Sequence, residues 1–270
     1  MRIQSWEEYL TGGSGAALAL TIGVFDGLHL GHQALLARVL ARRPACEAAV
    51  VTFRENPKQT LRGAAFEGEL VVLERKLSLL EEAGVDLVVL IDFSGDFSRM
   101  PGRFFLSLLA LHGSLRYLAI GSDFHCGRAR DTDAKGLAGY FASSGPGAPE
   151  VEIMEPLAFD GGIVSSTRIR RAVQSGRLDE AGALLGRPFE VELGGEIEGR
   201  GNLRCFGKRA GTVLPPPGEW PARALCGGRM YEGSLGLAGD CLELRGFEGA
   251  QDLRRIALGP FETVAKRVKR

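Results

Sequence analysis

Residues 23–32 of this chain are Gly23-Val24-Phe25-Asp26-Gly27-Leu28-His29-Leu30-Gly31-His32. They follow an apolar run, Leu18 to Val24, that predicts a β-strand, and they lead into a segment of helical period from Gln33 to Arg42. At the carboxyl edge of an open parallel sheet such a turn is where ligands bind, because the helix N-terminus offers free N–H groups and the positive end of its dipole. The turn therefore predicts an anion-binding site.

The same alternation of short apolar runs and helical segments continues to about Gly186, which is typical of a parallel sheet with crossover helices. Further strands are predicted at Ala48–Phe53, Leu87–Ile91, Tyr117–Ile120 and Val151–Met154, each an almost continuous apolar run. Further helices are predicted at Val72–Ala83, with Leu73, Leu77 and Leu80 on one face, and at Gly102–Leu111, Thr167–Ser175 and Leu178–Leu185. We expect an α/β domain over residues 1–186.

The character of the sequence changes after Arg187-Pro188. Glycine then recurs every few residues, Pro215-Pro216-Pro217 interrupts the chain, and the apolar runs are as short as Val191–Leu193 and Cys241–Leu244. Frequent turn residues between short apolar runs are typical of small β structures. We expect a small β domain over residues 187–270.

Charge balance, cysteine spacing and apolar runs indicate which partners and which cellular compartment to expect. The 33 Lys and Arg residues balance 33 Asp and Glu residues, so no global field attracts nucleic acid or an anionic membrane, and a small-molecule partner is expected. Five cysteines without a CxxC pair fit neither a zinc site nor a disulfide framework. The first residues lack the order of a signal peptide, and no apolar run approaches the roughly 20 residues that cross a bilayer. These features predict a cytoplasmic protein.

His29 and His32 are two of the four histidines in the chain, and both lie in the glycine-punctuated turn. Gly31 between them leaves room for a nucleotide. Imidazoles that are protonated or donate hydrogen bonds can stabilise charge on phosphate oxygens as pyrophosphate leaves, and no covalent intermediate is needed. The alternative is that both are ordinary turn and helix residues, but their pairing in this turn favours function.

A second segment with anion-binding character is Val164-Ser165-Ser166-Thr167-Arg168-Ile169-Arg170. It predicts a helix start capped by Ser or Thr and carrying two arginines, so that hydroxyls, free N–H groups and guanidinium groups converge on one anion. The alternative is a simple N-cap with a solvated arginine face. We interpret the segment as a phosphate clamp.

The HxGH pattern of His29–His32, with the preceding GxFDG, resembles the signature of the nucleotidylyltransferase superfamily and, within it, the FAD synthetase module of prokaryotic riboflavin kinase/FAD synthetases. Segment 164–170 is similar to the ISSTxIR signature of that family. The resemblance implies a Rossmann-like nucleotidylyltransferase domain, with Ser166, Thr167 and Arg168 on the β- and γ-phosphates of ATP and Mg²⁺ bridging those phosphates. The implied ATP-binding residues are Gly23, Phe25, Asp26, Gly27, Gly31, Ser165, Ser166, Thr167 and Arg168. No carboxylate cluster in the sequence predicts a metal site of the protein's own.

Two further segments follow the family order. Gly121-Ser122-Asp123-Phe124 resembles the GxDF motif, and Val51–Pro57 resembles the TFxPHP segment, although Arg54, Glu55 and Asn56 replace its usual acid, Pro and His. The resemblance implies a flavin site. Its implied residues are Asp123, Phe124, Arg130 and Thr52.

The second domain resembles the family's flavokinase β-barrel only faintly. That barrel holds ATP and Mg²⁺ through Pro-Thr-Ala-Asn within a GRxLGFPTAN stretch, whereas residues 205–212 here are CFGKRAGT. Glu243 lies where the presumed catalytic base would fall. We expect a degenerate riboflavin-kinase-like barrel without kinase activity.

The resemblance implies transfer of AMP from ATP to FMN, which gives FAD and pyrophosphate. The FMN phosphate would attack the α-phosphorus in line, His29, His32 and Arg168 would act as catalytic residues, and Asp26 and Asp123 would orient the substrates. Two alternatives remain: adenylyl or cytidylyl transfer to another phosphorylated acceptor, or a flavin- or nucleotide-binding protein without catalysis. The oligomeric state is not predicted.

Overall fold

The structure is a computed structural model that describes residues 1–63, 66–93, 95–200, 203–238, 241–259 and 261. The chain divides into two compact units. The first comprises Met1–Phe66 and Leu73–Ile163, and the second comprises Glu67–Val72 and Val164–Arg270. Among the described residues, no helix has the length and apolar character needed to span a membrane.

The first unit alternates strands and helices. In chain order its elements are β1 (Arg2–Ser5), α1 (Trp6–Gly12), β2 (Ala17–Ile22), α2 (Leu30–Leu40), β3 (Glu47–Phe53), α3 (Pro57–Arg62), α4 (Leu73–Glu82), β4 (Leu87–Ile91), α5 (Gly95–Ser98), α6 (Gly102–His112), β5 (Ser114–Gly121), β6 (His125–Cys126), β7 (Thr132–Asp133), α7 (Ala134–Ala142), β8 (Glu150–Met154), β9 (Ala158–Phe159) and β10 (Gly162–Ile163).

Six of the described strands form one sheet in the order β1-β4-β3-β2-β5-β8, and every neighbouring pair is parallel. The chain moves from β2 to β3 and β4 on one side, and then crosses back to β5 on the other side of β2. This reversal is a topological switch point, where open parallel sheets bind ligands at their carboxyl edge. The predicted α/β fold is confirmed.

Apolar side chains fill both faces of this sheet. On one face, α1, α6 and α7 contribute to a core that includes Trp6, Tyr9, Phe105 and Phe141. On the other face, Val39 of α2 packs among small and aromatic strand residues. Burying each large side chain stabilises the fold by about 2 kcal/mol. The strands are therefore anchored on both sides, and their carboxyl ends are held in fixed positions.

Helix α4 buries a face that differs from the predicted one. Leu80 is buried as expected, but Leu73 and Leu77 are only partly buried, and the cations of Arg75 and Lys76 are buried instead. Charged groups can be buried where hydrogen bonds compensate for lost water. Arg75 pairs with Glu82 at 2.7 Å, and Lys76 donates to main-chain carbonyls. Apolar periodicity does not indicate the burial of these two cations, because that burial depends on their polar partners.

The second unit is a helical pair followed by a barrel. Its elements are α8 (Ser166–Gln174), α9 (Leu178–Leu185), β11 (Phe189–Arg200), β12 (Leu203–Lys208), β13 (Gly218–Cys226), β14 (Arg229–Ala238), β15 (Cys241–Arg245) and β16 (Arg255–Leu258). Six of the described strands close an antiparallel barrel in the order β11-β12-β15-β14-β13-β16. The predicted small β-barrel is confirmed.

Gly186 ends α9 in a left-handed conformation, with φ 73°, which glycine adopts without a steric penalty. In this division α8 and α9 belong to the unit of the barrel, whereas the sequence predicts a domain boundary at residue 186. That boundary stays a prediction.

Candidate active site

The turn after β2 has a strained backbone. Phe25, Gly27 and Leu28 have φ values of 52°, 84° and 43°, in a left-handed region that residues with large side chains seldom adopt. Phe25 and Leu28 are 0% and 3% exposed, so burial of their side chains holds this conformation in place. Strained backbone of this kind is concentrated at functional sites.

His29 is the N-cap of α2, and its Nδ1 accepts a hydrogen bond from the backbone N–H of His32 at 3.4 Å. The two imidazole rings stack with centroids 3.7 Å apart and planes inclined by 13°. Because Nδ1 of His29 is an acceptor, the neutral imidazole carries its proton on Nε2. His29 is thereby prepared as an Nε2–H donor at a helix N-terminus.

Burial lowers the pKa of His32 well below its usual 6.5, and repulsion from His29, whenever that ring is protonated, and from Lys76 lowers the pKa further. Nδ1 of His32 is buried and has no hydrogen-bond partner among the described residues. A neutral imidazole without an acceptor at Nδ1 carries its proton on Nε2. Of the two states open from the sequence, His32 therefore favours the neutral donor over the imidazolium. The ring of Phe25, 5.0 Å away between centroids, packs against it.

The carboxyl end of β3 is tied to the histidine turn. Thr52 is 0% exposed, and its hydroxyl donates to the carbonyl oxygen of Val24 at 3.1 Å. In the following loop, Arg54 pairs with Asp92 at 2.7 Å, and Asn56 caps α3 by accepting from a backbone N–H. These contacts give the altered TFxPHP segment a structural role, and the flavin contact of Thr52 stays a prediction.

The loop after β5 leaves the sheet beside the histidine turn, because β5 is the neighbour of β2 and Ala119 pairs with Thr21. A hydrogen bond from Phe124 N to Gly121 O, at 3.0 Å, forms its first bend. Asp123 is exposed, whereas Phe124 is partly buried against the core. The sheet therefore brings the GxDF and HxGH segments to the same edge.

Further along this loop, Arg130 and His125 meet, with Nη2 of Arg130 2.9 Å from Nδ1 of His125. Asp131, which the sequence did not indicate, accepts from the backbone N–H of Gly102 at 3.0 Å and from the hydroxyl of Thr132 at 2.9 Å. A Cβ atom on Gly127 would come within 2.2 Å of Gly102 N, so glycine is required there. The loop is thereby fastened to the start of α6.

The second predicted anion-binding segment lies at the start of α8, in the second unit. Ser165 is the N-cap, and its hydroxyl accepts from Arg168 N at 3.2 Å. Arg168 Nε donates to Glu180 at 3.0 Å. Arg170 is 3% exposed and donates to Gly68 O at 2.6 Å, so Arg170 is not part of a solvated face. Ser166 and Thr167 stand partly exposed in the first turn.

Among the described residues, no group of three or more His, Cys, Asp or Glu side chains could hold a metal ion. All five cysteines, each within a described range, are free thiols.

A parallel sheet with a strained, histidine-bearing turn at its switch point defines an open α/β protein of the class that binds ligands at this edge. The model of the FAD synthetase family matches residues 14–168, more than half of the chain, and the chain belongs to that family. The matched region contains the HxGH turn, the GxDF loop and the capped start of α8.

Curated relatives carry the name bifunctional riboflavin kinase/FMN adenylyltransferase. The Listeria monocytogenes relative is 32% identical over 189 residues, covering 67% of this chain and 58% of its own length. The Bacillus subtilis relative is 27% identical over 228 residues, covering 81% of this chain and 71% of its own length. The chain thus spans less than two thirds of the first of these relatives.

A solved structure, a macrolide-efflux protein from Streptococcus pneumoniae, is similar with a TM-score of 0.80 and 23% identity, covering 100% of this chain and 96% of that chain. At this level of identity the similarity shows a shared fold.

Proposed function

We propose that this protein is an FMN adenylyltransferase, which transfers AMP from ATP to FMN and releases FAD and pyrophosphate. The observation that carries the proposal is the stacked pair of His29 and His32 at the N-terminus of α2. Membership of the FAD synthetase family and the names of the relatives support FMN as the acceptor.

In this reaction an oxygen of the FMN phosphate attacks the α-phosphorus of ATP. The bond from that phosphorus to the bridging oxygen breaks, and its electron pair leaves with pyrophosphate. His29 and His32, each a neutral Nε2–H donor, stabilise the negative charge that develops on the leaving group. The N-terminal dipole of α2 acts in the same direction. Asp26, 5% exposed in the turn, and Asp123 orient the substrates.

The β- and γ-phosphates are assigned to Ser165, Ser166, Thr167 and Arg168. Hydroxyl groups, free N–H groups of the first turn and one guanidinium group are suited to a phosphate. The remaining ATP contacts are assigned to Gly23, Phe25, Gly27 and Gly31. Mg²⁺ is assigned to the phosphates of ATP, where it would neutralise charge, and it receives no ligand from the chain.

The flavin is assigned to the neighbouring loops, with Thr52, Asp123, Phe124 and Arg130 as contacts. Asp123 and the histidine turn leave adjacent strands at the same sheet edge, which supports a shared site. We propose ATP and FMN as the partners, without nucleic acid, and a cytoplasmic location in keeping with the five free thiols.

We propose domains at residues 1–186 and 187–270, of which the second is a riboflavin-kinase-like barrel without kinase activity. The support is the replacement of Pro-Thr-Ala-Asn by other residues after Cys205. Glu243 alone, on β15, does not supply the Thr-Asn pair on which that kinase chemistry depends.

The test is an assay of the purified chain with ATP, Mg²⁺ and FMN, in which FAD and pyrophosphate are both quantified. Stoichiometric formation of the two products supports the proposal. Turnover with CTP or with other phosphorylated acceptors, but not with FMN, would replace it with a different nucleotidyl transfer. Binding of FMN and ATP without turnover would refute catalysis. Riboflavin as the sole acceptor should give no FMN.

A further inference from the structure

Lys76 of α4 is a buried cation that the proposed reaction does not use. It is 4% exposed, and its Nζ donates to the carbonyl oxygen of Phe53 at 2.7 Å and lies 3.5 Å from the carbonyl oxygen of Val24. Phe53 ends β3, and Val24 immediately precedes Phe25 of the strained turn. The ammonium group therefore links the carboxyl ends of the neighbouring strands β2 and β3 at the point where the histidine turn begins.

Burying an ammonium group is unfavourable unless hydrogen bonds compensate for the lost water. The carbonyl oxygen of Val24 already accepts a hydrogen bond from the hydroxyl of Thr52 at 3.1 Å, so it does not need a second donor from Lys76. A neutral side chain could fill the same space at lower cost. A cation at this position instead places a positive charge near the imidazoles.

That charge acts on His32. The charged groups that act on His32 come from two elements, His29 at the cap of α2 and Lys76 from α4. The turn before α2 also carries the buried carboxyl group of Asp26. Burial has the largest effect on the pKa of His32, and repulsion from a protonated His29 and from Lys76 acts in the same direction, so the pKa is lowered. Lys76 thus favours the neutral form of His32, which is the form assigned to the proposed transfer.

We propose that Lys76 is a positioning residue that fastens the histidine turn to the ends of β2 and β3 and keeps His32 in its neutral form for the transfer reaction. The kinetic part of this inference rests on the proposed function, whereas the effect on His32 does not depend on any activity.

The first test is a histidine NMR titration, since only four histidines are present and the signal of His32 is identified by its loss in His32→Asn. Lys76→Gln keeps N–H donors at this position but removes the positive charge, whereas Lys76→Arg keeps the donors and the charge. Lys135→Met, which removes an exposed lysine on α7, is the control. In Lys76→Gln, His32 should titrate at a higher pH than in the wild type. Lys76→Arg and Lys135→Met should leave the titration unchanged. An unchanged titration in folded Lys76→Gln would overturn the proposal.

The second test is the pH profile of FAD formation. Lys76→Gln should lower kcat by about tenfold or more, because small displacements of catalytic groups are costly, and it should move the acidic limb to higher pH. Lys76→Arg should have the kcat and the acidic limb of the wild type. The KM for ATP should change little in either variant. A kcat loss with an unmoved acidic limb would reduce Lys76 to a structural role. If the wild type forms no FAD, the proposed function fails, while the NMR titration still decides the inference about His32.

Discussion

Arg168 and Glu180 form an ion pair within the second unit, with Nε of Arg168 3.0 Å from Oε1 of Glu180. Arg177 binds the other carboxylate oxygen at 2.8 Å. The hydrogen bond from Arg177, and then that from Arg168, lower the pKa of Glu180 although partial burial opposes them. The carboxylate of Glu180 thus pairs with the guanidinium group of Arg168, which the sequence assigns to a phosphate of ATP.

Glu180→Gln should lower the KM for ATP about two- to fivefold, because a carboxylate beside Arg168 repels the triphosphate with an energy of about 1 kcal/mol in a partly exposed setting. Steady-state kinetics of FAD formation measure the effect. Asp179→Asn, an exposed neighbour on α9 with the same change of charge, is the control. A raised KM in Glu180→Gln would show that the carboxylate positions Arg168 instead.

Glu180 should also stabilise the fold in a pH-dependent way. Its folded-state pKa lies below the ordinary 4.5, so its contribution is fully present above about pH 4.5 and is lost as the pH falls through the folded pKa. Urea unfolding should find the wild type more stable than Glu180→Gln by about 1 kcal/mol at pH 7. This difference in the free energy of unfolding should shrink towards zero at pH values below the folded-state pKa of Glu180. A difference that does not change with pH would contradict the ion pair.

His29→Asn and His32→Asn should each reduce kcat for FAD formation by about 10²- to 10³-fold, the usual effect of removing one transition-state donor. Asparagine at position 29 keeps an acceptor for the helix cap, so folding should persist, and circular dichroism checks it. His112→Asn, at the end of α6, is the matched control. The double variant should lose less than the product of the single effects, because the stacked pair acts as a unit.

Tyr9→Phe should destabilise the first unit by about 1–2 kcal/mol, because its hydroxyl donates to Leu109 O at 3.0 Å and the loss leaves a buried acceptor unpaired. Burial raises the pKa of Tyr9 to about 12. The wild type should therefore lose stability as the pH rises from about 10, the ordinary tyrosine value, towards 12, while Tyr9→Phe lacks that component. Specific activity of the folded variant should equal that of the wild type.

Much of the first unit could be predicted from its apolar runs. Leu87–Ile91 was predicted with its observed bounds because all five residues are buried and carry no polar face. Helix α1 was missed because it is short, and a reciprocal capping box between Ser5 and Glu8 stabilises it. Helix α7 contains Gly136 and Gly139, which lower its local propensity, whereas the Asp133 cap and core contacts favour it.

The candidate site was predictable where its chemistry is local in sequence. The spacing of His29 and His32 places both at one helix start, so the pattern alone predicted the pair. Lys76 was not predictable, because its contact with Val24 spans 52 residues and helical periodicity assigns an isolated lysine to solvent. The pairing of Arg168 with Glu180 was missed for a related reason, since it depends on how α8 and α9 pack together.

The barrel strands pair in a ring, so that each described strand of that unit hydrogen-bonds on both sides. Open strand edges are templates on which other chains add and seed amyloid-like stacking. Circular closure removes that template from the β-rich part of the chain, so concentrated preparations should resist fibril growth through backbone pairing there. Any self-association of this unit then depends on its side chains, which substitutions can tune without opening the ring.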